Sequence, residues 1–187
     1  MSTRPTSPPP ILAAACLGLS VMLHAAVATA QLPEEHETGN HGLRLRVMER
    51  TPAQIAAFYE ARGFPEQAIA RLREACFLTV TLDNQRDDRL ALERWRFLAN
   101  GEPLERRDRA YWQTQWQALG LSRGSRATFG WTLMPESREL YPTEPVAGNI
   151  TLAPTRQPFT LVARLRTAAD DVLSLRLRDI ECAGREG

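Results

Sequence analysis

The chain has 187 residues, 43% of them hydrophobic and 24% charged, with 23 basic groups against 22 acidic ones. Every basic group is Arg, and a balance this close to neutral argues against nucleic-acid binding, which draws its affinity from a cationic footprint.

Arg4, an apolar run from Ile11 to Val27 and then Ala28-Thr29-Ala30 follow the order of a secretory signal peptide over residues 1–30. The run approaches the ~20 apolar residues that span a bilayer. Gly18, Ser20, His24 and Thr29 interrupt it, however, and no basic cluster follows. Cleavage after Ala28 or Ala30 therefore reads better than retention as an anchor, leaving no stable membrane insertion. Cys16 after Ala13-Ala14-Ala15 is a weaker lipoprotein pattern.

Cleavage removes Arg4 and Cys16, leaving 22 basic groups against 22 acids and two cysteines, Cys76 and Cys182. In an oxidising compartment an even pair reads as a disulfide, and in a reducing one as two core thiols. The expectation is a bridged protein of the periplasm or the medium. Residues 31–187 suit one domain. Gln31 to Val47, with Glu34-Glu35-His36-Glu37 and Gly39-Asn40, reads as a flexible arm, and 48–187 as the disulfide-stapled globular part.

Thr51-Pro52-Ala53-Gln54 supplies an N-cap, a proline in the first turn and a capping-box Gln. Ile55, Phe58 and Tyr59 follow at helical spacing, and Gly63 can end the helix. Pro65 restarts the pattern with Ala68, Ile69, Leu72 and Ala75, so residues 52–75 form an αα-hairpin. At Cys76 the period changes from 3.6 to 2, placing Cys76, Leu78, Val80 and Leu82 on one face of a strand. Leu90 to Leu98 reads as its return. Asp108 can cap a helix over 108–119, with Trp112 and Trp116 on one face and Gly120 as its stop. The remainder reads as strands: Phe129, Trp131 and Leu133 alternate, then Ile150 and Leu152, then Phe159 to Leu165, then Leu173 to Leu177. A bulge is needed for Ile180 and Cys182 to point together.

The predicted fold is therefore α+β, mainly β: an antiparallel β-sandwich over 76–187 preceded by an αα-hairpin and carrying one inserted helix. The plan resembles an immunoglobulin-like sandwich with helical insertions, a likeness of architecture that does not fix function.

His36-Glu37-Thr38-Gly39-Asn40-His41 approaches a zinc-protease motif but is one residue too long. On a helix, a gap of four residues sets two histidines about 40° apart and a gap of five about 140° apart. A looser copper or zinc site from His36, His41 and Met48 or Glu37 remains open. With the signal removed, His36 and His41 are the remaining imidazoles, and Ser125 lacks the flanking glycines of a nucleophile elbow, which leaves little basis for nucleophilic catalysis. The acids at Asp83 to Asp88 and at Asp170-Asp171 read as hydrated turns. Tyr111, Trp112 and Trp116, beside Arg106, Arg107 and Arg109, combine the residue types of binding hot spots, but the helical spacing of Trp112 and Trp116 reads first as a core seam and second as a recognition surface. Tyr141, in the Pro-containing loop 135–148, is a second recognition candidate.

The expectation from these residues is an exported, non-catalytic binding or accessory protein for another envelope component, with no cofactor. The alternatives are a copper or zinc carrier using His36 and His41, and a hydrolase acting through two carboxylates.

Overall fold

The computed structural model describes residues 35–184; the signal-like segment 1–30 lies outside the described residues. The fold is mixed α+β and mainly antiparallel β. No helix among the described residues is long and apolar enough to cross a membrane.

The first finding corrects the expected arm. Strand β1 (Glu35–Asn40) and strand β2 (Leu43–Arg50) form a hairpin that turns at His41 and Gly42, both at positive φ. Leu43, Leu45 and Val47 enter the core at every second position. Glu35 and Glu37 lie on an exposed face of the edge strand, where charge discourages edge-to-edge association. That acidic face gives a paired strand the composition of a solvated tail.

The helical hairpin forms as α1 (Pro52–Glu60) and α2 (Glu66–Arg73). The capping box is complete: Gln54 N donates to Thr51 Oγ1 at 3.2 Å and Thr51 N to Gln54 Oε1 at 3.1 Å. Gly63 sits at φ 74°, a conformation that a Cβ would strain.

Strand β3 (Cys76–Asn84) follows, then β4 (Leu90–Leu92), β5 (Arg96–Ala99) and β6 (Glu102–Pro103). The chain continues through α3 (Arg109–Ala118), α4 (Arg123–Thr132), β7 (Glu139–Leu140), β8 (Pro145–Leu152), β9 (Phe159–Thr167) and β10 (Val172–Ile180). One sheet runs β1-β2-β3-β8. The other runs β6-β5-β9-β4-β7, with β10 also on β9. Both β4 and β5 pair with β9, Leu92 opposite Leu165 and Arg96 opposite Val162, so the chain spends one residue more than its partner between them. The single returning strand expected over 90–98 is thus broken at residues 93–95, as by a bulge. The bulge expected before Cys182 is present, with a register shift between Leu177 and Ile180 and Asp179 at φ 57°.

Residues 123–132 are the second correction, since the expected strand through Phe129 and Trp131 is helix α4. Ser122 caps it by accepting from Ser125 N at 3.0 Å, and Arg109 Nη2 donates to Gly130 O at 2.8 Å near its end. Residues two apart on a helix lie about 200° apart, so Phe129 goes in and Trp131 goes out just as strand alternation would send them. The insertion after β6 therefore holds two helices.

Two cores result. One draws Leu45, Val47, Leu78, Val80 and Leu82 from the four-stranded sheet together with Leu92, Phe97, Leu161, Leu165 and Leu177 from the other. The second joins Phe77, on the opposite side of β3 from Cys76, to Ile55, Tyr59, Leu72, Trp112, Trp116 and Phe129 of the helices. Gly148 on β8 faces the chain at Leu133 and Met134, where a Cβ would stand 2.5 Å from Met134 N; glycine lets that connection lie against the sheet.

Cys76, at the start of β3, is bonded to Cys182, just beyond β10, with the two Cα atoms 5.2 Å apart. The bond ties one sheet to the other across a sequence separation of 106 residues. A closed loop of that length restricts the unfolded chain by about 4.7 kcal/mol in the chain-entropy treatment. The double substitution Cys76→Ala/Cys182→Ala is expected to lower unfolding free energy by about 3 to 5 kcal/mol in urea denaturation. An unchanged midpoint would show that the bridge contributes nothing.

Candidate functional site

The aromatic run, read from the sequence as a core seam or a recognition surface, divides sharply by burial. Trp112 and Trp116 are each 1% exposed and stack on one another, centroids 4.9 Å apart at 23°. Both also meet Phe129 at 5.1 Å. Trp112 Nε1 donates to Thr151 Oγ1 at 2.7 Å, Thr151 Oγ1 donates to Arg107 O at 2.5 Å, and Arg107 N donates to Thr151 O at 2.8 Å. The tryptophans are thus the seam between α3 and the four-stranded sheet, not recognition anchors. Helical spacing of large apolar groups serves burial first. Tyr111 is half-buried, with the Arg107 guanidinium 5.0 Å from its ring.

The exposed indole is Trp131, at 88%. Its helix could have been found from Ser122 as an N-cap, but the alternation of Phe129, Trp131 and Leu133 masked that signal. Phe58 on α1 is also exposed, beneath the Arg62 guanidinium at 3.5 Å. Between the two helices, Tyr59 packs on Phe129 and its hydroxyl lies 2.7 Å from Thr132 Oγ1. Burial raises the Tyr59 phenol above its ordinary value, and the bond to Thr132 opposes that shift. Tyr141 is 50% exposed with Arg89 at 4.6 Å, in a turn where Glu144 Oε2 accepts from Tyr141 N.

The residues suggested for metal do not converge. His36 on β1 is opposite Val47, whereas Met48 is opposite Glu35, so His36 and Met48 occupy opposite faces of the hairpin. His41 is in the turn, five residues along from His36, a strand distance of about 17 Å. His36 instead meets buried Glu49, Nε2 to Oε1 at 3.1 Å, and the same carboxylate oxygen accepts from Glu181 N at 2.7 Å. Glu49 thereby joins β2 to the chain just beyond β10. Among the described residues, no group of three or more His, Cys, Asp or Glu is arranged to hold a metal. The copper or zinc carrier raised as an alternative from these side chains is not what their geometry supports.

The crossing from β6 to α3 places cationic groups together. Residues 104–107 leave the edge of one sheet and run beside β8 of the other, with Ala153 N donating to Glu105 O and Arg106 bridging to Leu152. Arg106 lies between two clefts. The smaller, about 430 Å³, is lined by Arg106, Arg107, Arg109, Asp108 and Glu136, among others. Asp108 Oδ1 accepts from Tyr111 N at 2.9 Å and Glu136 Oε1 from Arg109 N at 3.2 Å, so both acids serve the first turn of α3. The larger, about 810 Å³, includes Arg94, Trp95, Arg96, Phe97, Leu104 and Arg106. Arg106 donates through Nη2 to Met134 O at 3.1 Å. Burial holds its guanidinium below the ordinary value, and the charge of Arg94 adds to that effect while Glu136 and Asp108 oppose it.

Among the described residues, no carboxylate within ion-pair distance joins Arg94, Arg96, Arg106, Arg107 or Arg109. Glu102, Glu105 and Asp108, adjacent to these arginines in the sequence, are in no salt bridge with them.

The two core indoles differ in a testable way, because Trp112 donates a buried hydrogen bond and Trp116 Nε1 has no partner among the described residues. Trp112→Phe is expected to cost about 1 kcal/mol or more beyond Trp116→Phe, since it strips a partner from buried Thr151. Denaturation midpoints check this, and equal losses would contradict the assigned bond. No protein-family model matches the chain, and no curated protein matches it either.

Proposed function

We propose that this protein is an exported, non-catalytic binding module that serves as an accessory or scaffold to another envelope protein, docking through the helical layer around Trp131. The observation that carries the reading is the 88% exposure of that indole on a helix whose other face is firmly packed. Burial of a large apolar side chain is worth about 2 kcal/mol, so an aromatic left in water is poised to contribute to association. Phe58 on neighbouring α1 adds exposed aromatic surface to the same layer.

Two features support the location. The Cys76–Cys182 bond suits an oxidising compartment, and Arg4 with the Ile11 to Ala30 run suits export to the periplasm or beyond. For the architecture, we read the two sheets as a sandwich, supported by the core they share. Helices covering the outer face of one sheet depart from the immunoglobulin-like plan.

Cross-linking in the native envelope, followed by affinity recovery of the oxidised protein, tests the reading. The wild type is expected to recover a discrete partner, and Trp131→Ala to recover at least about tenfold less of it. The substitution should leave stability within about 0.5 kcal/mol, as for other exposed positions. Equal recovery by both proteins, or no partner from the wild type, would contradict the proposal.

A further inference from the structure

The 810 Å³ cleft beside β5 carries the combination of groups that a small amphiphile requires. Its accessible apolar part comes from Leu98, Pro103 and Leu104, together with the nearly buried Trp95 and Phe97, and its cationic part from Arg94, Arg96 and Arg106. Glu105 is the acid in its lining, which leaves the three guanidiniums in excess. Arg94 and Arg96 are exposed while Trp95 and Phe97 are buried, so the cations stand on the solvent side of this segment. Trp95 is buried, and its Nε1 lacks a hydrogen-bond partner among the described residues.

Among the described residues Arg94, Arg96 and Arg106 are in no salt bridge, although the ion pairs elsewhere engage Arg44, Arg46, Arg86 and Arg166. An oxyanion would give these cations a partner, and guanidinium forks match carboxylate and phosphate geometry. The volume falls in the range of small-molecule sites, and the cleft opens where the chain crosses from one sheet to the other.

We infer that this cleft binds an anionic amphiphile, its carboxylate or phosphate head held by Arg94, Arg96 and Arg106 and its apolar body laid along Leu98, Pro103 and Leu104. The site is separate from the proposed docking layer, so Trp131→Ala should leave it intact. Failure of partner recovery and failure of ligand binding are therefore distinct results.

Calorimetric titration of the oxidised protein with dodecanoate, dodecyl phosphate, acetate and the uncharged dodecyl maltoside tests it, each amphiphile below its micelle concentration. Saturable 1:1 binding is expected for dodecanoate, dodecyl phosphate or both, at least tenfold tighter than for acetate or the maltoside. Which head group binds more tightly distinguishes a fatty-acid-like ligand from a phospholipid-derived one. Arg94 and Arg96 are exposed, so Arg94→Gln/Arg96→Gln should retain the wild-type melting temperature and weaken binding about tenfold or more. Absence of saturable binding, equal affinity for the maltoside, or full affinity in the double variant would overturn the inference.

Discussion

Strand β3 buries one face along its length and Phe77 on the other, and the remaining elements are arranged around that constraint. Cys76, Leu78, Val80 and Leu82 enter the core between the sheets, while Phe77 enters the core beneath the helices. Shifting the strand by one residue would exchange the two sets and place Thr79 and Thr81 in the inter-sheet core. The disulfide fixes this register at its first residue, because Cys76 must face Cys182 at the end of the other sheet. Glu49 reinforces the junction by receiving both His36 and the backbone at Glu181.

Much of this was legible because it is local. The Thr51–Gln54 capping box, Gly63, the Asp108 cap and the change of period at Cys76 each depend on a few adjacent residues. The cysteine pairing was legible for a different reason, since the signal-like segment removes the third cysteine from consideration. The failures also have local causes. Phe129, Trp131 and Leu133 fit two periods at once, and only tertiary packing decides between them. Glu35 and Glu37 hide β1 because an edge strand tolerates charge that a central strand would not.

The candidate site was less legible because its chemistry depends on what is missing around each residue. In the fold Asp108 caps a helix, and the cations collect around the crossing from β6 to α3 without salt-bridge partners among the described residues. Trp112 and Trp116 drew attention in the sequence but are structural, whereas Trp131 reaches solvent. A near-neutral total charge therefore coexists with a concentrated positive region, because the acids are spent elsewhere in caps and ion pairs.

The disulfide and the proposed export connect the fold to the proposed role, and one measurement addresses both: peptide mass spectrometry of the protein from its native cells, alkylated before digestion. The account predicts an N-terminus at Thr29 or Gln31 and a Cys76–Cys182 cross-linked peptide. A chain that still begins at Met1 and carries alkyl groups on both cysteines would contradict it.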